Sequence, residues 1–156
     1  MDGSQATVIS DPRLITLLNY WQSLKNGNPL PSRHGLDPAL LPADLVPHFF
    51  LYDVTHQPLD YRMRLAGSML CATVGYEMRG KTFDEIHPAD KAAAIRREFD
   101  HAVHTGQPHY AERSARWLPD RELSYHRLLL PFADDGLIVD SLGGASLFDL
   151  DDRPLF

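Results

Sequence analysis

The last third of the chain constrains its fold most: His109–Trp117, Leu123–Phe132 and Leu137–Phe148 are three long runs with strand character, following one another directly. The links between them are turn-sized, Leu118-Pro119-Asp120 and Asp134-Asp135-Gly136, and rich in the residues that favour tight turns. Long consecutive strands joined this way predict an antiparallel meander.

Upstream, the periodicity changes twice. Phe49–Val54 is a dense apolar and aromatic run, and Leu59–Ala66 alternates, with Tyr61, Met63 and Leu65 on one face and Asp60, Arg62 and Arg64 on the other. Thr55-His56-Gln57-Pro58 is a hairpin-sized link, so these read as two antiparallel strands. From Gly67 to Ile86 the period is lost, and Gly67, Gly75 and Gly80 divide the segment into pieces of one or two helical turns. A longer helix follows from about Ala89 to Thr105, with Ile95, Phe99, Ala102 and Val103 on one face and Gly106 ending it.

The chain begins with another helix, Asp11 to Lys25. Asp11 can cap it, Pro12 suits its first position and Asn26-Gly27 can end it. Leu14, Leu17, Leu18, Trp21 and Leu24 form an apolar stripe that must be buried against the domain or against a second copy. Between Pro29 and Pro47 lie five of the twelve prolines, which predicts an ordered connector with a short turn begun by Asp37-Pro38. The expected organisation is therefore residues 1–48, helix and connector; 49–148, an α+β core; and 149–156, a short acidic tail with no output domain after it.

Composition narrows the function classes. At 156 residues one core is expected, and a net charge of −6 disfavours a generic binder of nucleic acid or anionic membrane. The opening residues are acidic and polar, unlike a secretory signal, and no apolar run is long enough to span a membrane. With Cys71 as the single cysteine, no internal disulfide can form, and a cytoplasmic location is expected. No Gly-x-Ser-x-Gly elbow or phosphate-cradling glycine loop is present, and Asp84-Glu85 are adjacent, so their side chains diverge. A non-enzymatic role is the expectation.

Helix, two strands, short helices, a longer helix and three strands is an order that resembles PAS domains. The wording is similar too: Gly75-Tyr76, Gly80-Lys81-Thr82-Phe83, and Asp84-Glu85-Ile86-His87-Pro88-Ala89-Asp90 opening the longer helix. Tyr61 through Ser68 and Leu128-Leu129-Leu130-Pro131 resemble a bacterial branch of stand-alone PAS proteins. The resemblance implies a five-stranded antiparallel sheet with helices on one face, plus the extra N-terminal helix, around a small cavity. It also implies a signal-transduction role, by small-ligand binding or by protein interaction. A homodimer through the N-terminal helix and the sheet's outer face, or a signalling partner, is the expected assembly.

The cavity walls expected on this basis are Met63, Leu65, Met69, Val74, Phe83, Ile86, Ile95, Phe99 and Leu128, with Tyr61 and Arg64 available to orient a polar ligand. The docking stripe is Leu14, Leu17, Leu18, Trp21 and Leu24. The resemblance names no cofactor. Cys71 lacks the Asn-Cys-Arg-Phe-Leu-Gln setting of flavin-binding relatives and reads as a small buried hydrophobe. His101 and His104 turn away from the apolar face, which disfavours haem, and with Asp100 and His109 they read as surface residues rather than metal ligands. His87 is read as part of the helix start. The alternative is a small α+β cone of the nuclear-transport-factor kind, an enzyme or scaffold whose helices mostly precede its strands.

Overall fold

The computed structural model describes residues 8–118 and 121–149; positions 119–120, where the sequence predicts a turn, and the expected tail beyond Asp149 lie outside the described residues. The first helix, α1 (Pro12–Ser23), starts where Asp11 accepts a hydrogen bond from the Arg13 amide at 2.9 Å. Three single 3₁₀ turns then carry the connector, at Arg33–Gly35, Pro38–Leu40 and Val46–His48. In the second, Asp37 caps the Ala39 amide.

Strands β1 (Phe49–Thr55) and β2 (Asp60–Ala66) form the hairpin. Two short helices follow, α2 (Ser68–Val74) and α3 (Phe83–Ile86). Gly75 closes α2 with φ +90°, a conformation that suits glycine. Thr82 and Glu85 form a reciprocal capping box on α3.

Helix α4 (Ala92–Thr105) begins three residues later than the His-Pro-x-Asp reading places it. Residues 88–91 form a separate turn, with the Lys91 amide bonded to the Pro88 carbonyl at 2.9 Å, and Asp90 is exposed without capping the helix. The chain ends in β3 (His109–Leu118), β4 (Arg121–Phe132) and β5 (Ser141–Phe148). The last strand is shorter than its apolar run. Asp135 Oδ1 accepts the amides of Leu137 and Ile138 at 2.8 and 2.9 Å, which withdraws those donors from the ladder and leaves both side chains exposed.

The sheet runs β2-β1-β5-β4-β3 and every neighbouring pair is antiparallel. Registers sort its two faces. Phe50, Tyr52, Ser146, Phe148, Tyr125 and Arg127 fall on one face, toward α2–α4. Phe49, Leu51, Leu128, Leu130, Ala145 and Leu147 fall on the other, and all six are buried. Gly144, at φ +148°, lets β4 and β5 approach closely; a Cβ there would lie 1.8 Å from the Leu128 carbonyl oxygen.

What buries that second face is the chain's own N-terminal helix. Leu14, Leu17 and Trp21 of α1 join the same core, and Trp21 Nε1 donates to the Pro131 carbonyl of β4 at 2.7 Å. This corrects the expectation of a docking stripe. Leu14, Leu17 and Trp21 are no more than 1% exposed within one chain, and Leu18 and Leu24 are partly buried against the core. The stripe satisfies its hydrophobic demand intramolecularly, and the outer sheet face is covered by it.

Candidate functional site

Between the inner sheet face and the helices lies a cavity of about 30 Å³. Phe50 and Tyr52 of β1 and Met63 of β2 form one wall. Leu70 and Val74 of α2, with Met78 of the following loop, form a second. Ile86, His87 and Phe99 close it above, and Tyr125, Arg127, Ser146 and Phe148 supply the floor from β4 and β5.

Aromatic contacts stiffen the upper end. Phe99 meets Tyr52, Tyr61 and Phe83 edge-on, with ring centroids 5.1–5.2 Å apart. His87 stacks on Phe83 at 3.9 Å and its Nδ1 lies 3.0 Å from the Phe83 carbonyl, an arrangement in which the ring nitrogen donates. Burial lowers the His87 pKa to about 3, so the ring is neutral around neutral pH. Far from serving the start of α4, His87 is a wall of the cavity.

The polar end is a charge relay across α4, β3 and β4. Glu98, on the inward face of α4, accepts from Arg127 Nη2 through Oε1 and from Arg113 through Oε2. Burial by itself raises the Glu98 pKa, but the charge and hydrogen bonds of Arg127, together with those of Arg113, outweigh it and hold the carboxyl below its ordinary value. The Arg127 side chain is 4% exposed, its guanidinium carbon sits 5.4 Å from the Phe99 ring centroid, and its Nε is buried without a hydrogen-bond partner. Arg113 is half-exposed, in an open groove with Arg97, His101 and His109. One carboxylate therefore joins an arginine of the cavity floor to an arginine of the surface.

Of the residues expected in the walls, Met63, Val74, Ile86 and Phe99 line the cavity. Tyr61, Phe83 and Ile95 are buried behind it, where the Tyr61 hydroxyl donates to Asp100 at 2.5 Å. Four residues lie elsewhere. Leu65 and Met69 are 45% and 39% exposed, Arg64 pairs with Asp53 on the outside at 2.7 Å, and Leu128 belongs to the face under α1. A bulge explains the β2 errors: Leu51 pairs with Leu65 but Tyr52 pairs with Met63, so Arg64 is an extra residue that resets the alternation. In α2, the inward positions are Leu70 and Val74, which turns Met69 out.

Sequence reasoning passed over Phe50, Tyr52, Leu70, Met78, His87, Tyr125, Arg127, Ser146 and Phe148. A signal for Arg127 was present: Glu98 falls between Ile95 and Ala102 on the apolar face of its helix, and an acid placed there calls for a buried base. Cys71 is half-buried and His101 and His104 are exposed; among the described residues no group of three metal-ligating side chains stands together. Among the same residues no helix is long and apolar enough to cross a membrane.

No curated protein matches the sequence. Solved structures do match the fold. A Rhodobacter sphaeroides LOV protein aligns with a TM-score of 0.54 at 17% identity, over 65% of this chain and 58% of that one. The N-terminal domain of a diguanylate cyclase with PAS/PAC sensor from Marinobacter aquaeolei aligns with a TM-score of 0.50 at 14% identity, over 67% of this chain and 99% of that one. The chain thus spans little more than half of the Rhodobacter protein, and at these identities the likeness speaks for the fold alone. The strand order, with the β1–β2 hairpin preceding α2–α4, removes the cone alternative. A PAS domain family profile matches residues 9–146, nearly the whole chain, and with the fold it establishes that this protein belongs to the PAS domain family.

Proposed function

We propose that this PAS domain is a sensory and regulatory module that takes a small molecule into the cavity between α2–α4 and the sheet, and passes the event to a protein partner or a second copy rather than to chemistry of its own. The observation that carries this reading is the relay Arg127–Glu98–Arg113, because it ties the cavity floor to the surface through a single carboxylate. A ligand that draws on Arg127 changes the electrostatic hold on Glu98 and therefore on Arg113. The walls favour a compact ligand: they are mostly apolar, and Met63 and Met78 can adjust their shape to an occupant. A flavin or haem is far larger than about 30 Å³ permits without displacing α2.

Native mass spectrometry of protein taken directly from cell extract, compared with the same sample denatured, tests the ligand. The expected result is a non-covalent adduct of low mass, with the Met63 and Met78 methyl resonances shifting when it is removed. An apo protein whose methyl resonances ignore every small molecule offered would overturn ligand sensing and leave protein interaction as the sole output.

A further inference from the structure

The cavity has a chemical sign. Most of its surface is hydrocarbon or aromatic, and one cation, Arg127, reaches its floor. Both oxygens of Glu98 are already engaged by arginines, so among the described residues no uncommitted anion faces the cavity. Two guanidinium groups against one carboxylate leave a local excess of one positive charge. Tyr52 stays a neutral phenol, since burial pushes it upward, and His87 is neutral as well. The Arg127 Nε–H, buried with no acceptor, is a donor that costs free energy until something accepts from it. A ligand amine or metal cation would meet repulsion at this end, whereas a planar oxyanion would meet a donor in a low-dielectric setting.

We propose that the ligand of this cavity is a small monocarboxylic acid, its carboxylate drawn to the Arg127 guanidinium and its short apolar remainder against Met63, Leu70, Met78 and Ile86. The inference rests on the reading that the cavity takes a ligand at all. Size and charge bound the class. A volume of about 30 Å³ suits a few heavy atoms, extended by rotation of the two methionines, and a single excess charge matches a monoanion better than a dianion such as phosphate.

The test uses the full chain at constant ionic strength, with sodium propanoate, butanoate and hexanoate as probes and butan-1-ol and butanamide as uncharged controls. Thermal midpoint and the Met63 and Met78 methyl shifts are the readouts. A carboxylate is expected to saturate both, and to bind about tenfold or more tightly than the alcohol of equal length. Arg127→Met alone leaves the buried Glu98 with Arg113 as its remaining arginine partner and so disturbs its charge balance, and the double replacement Glu98→Met with Arg127→Met accompanies it to keep the site apolar. In that variant the carboxylate preference should vanish while the alcohol still binds. Equal response to acid and alcohol, unaltered in the double variant, would overturn the acid class and leave ligand sensing intact. No response to any probe, charged or neutral, would overturn both.

Discussion

His87 illustrates how a side chain that sequence alone places at a helix start becomes part of an interior. Phe83 stacks on it, Tyr52 and Phe99 flank it, and burial lowers its pKa to about 3. In the unfolded chain a histidine titrates near 6.5. The folded pKa is therefore depressed, the unfolded state binds more protons below that value, and the stability linked to neutral His87 is present above pH 6.5 and lost as pH falls toward 3. Between pH 7 and pH 5 this amounts to about 2 kcal/mol. His87→Phe keeps an aromatic ring on Phe83 and removes the titration. Urea unfolding at the two pH values should show the wild type losing about 2 kcal/mol more than the variant. Equal losses in the two proteins would mean that the ring is hydrated and charged in the folded state.

At the scale of elements, α1 decides how much surface the domain has left for partners. Trp21 is 1% exposed, donates to Pro131 and carries Lys25 Nζ 4.4 Å above its ring. Trp21→Ala should lower stability by about 3–5 kcal/mol at any protein concentration, because it empties a site inside one chain. Ile15→Asp, on the exposed side of the helix, should stay within about 0.5 kcal/mol of the wild type. Urea midpoints at two protein concentrations check both. A Trp21→Ala protein of unchanged midpoint that falls from dimer to monomer would return the stripe to an intermolecular role. The existence of α1 was legible from Asp11-Pro12 and the leucine spacing, yet its address was not, since an amphipathic stripe has the same pattern whichever apolar surface it meets. The strands read well for the same periodic reason, and failed where one residue interrupts the period: nothing local in Arg62-Met63-Arg64-Leu65 announces the bulge that puts Leu65 outside. Arg127 was missed because its partner Glu98 lies 29 residues away, across the fold rather than along it.

Over the whole molecule, the two sides of the sheet are built differently, and that asymmetry bears on how the cavity admits a ligand. On one side α1 lies against the sheet's buried leucines, anchored by Trp21. On the other, beside Phe99 of α4, the cavity's wall comes from a helix of 7 residues, one of 4, and the loop between Gly75 and Gly80, both at positive φ. Helices this short open at lower free energy than the strands they cover. Hydrogen exchange at neutral pH should therefore find the amides of residues 68–86 exchanging well before those of β1, β4 and β5, through openings that leave the sheet and α1 intact. A carboxylate that fills the cavity should protect 68–86 first and most, because it binds only the closed form. Uniform protection across both sides would mean that the cavity opens only by global unfolding, too rarely for a sensor, and the signal would then have to enter through the surface at Arg113.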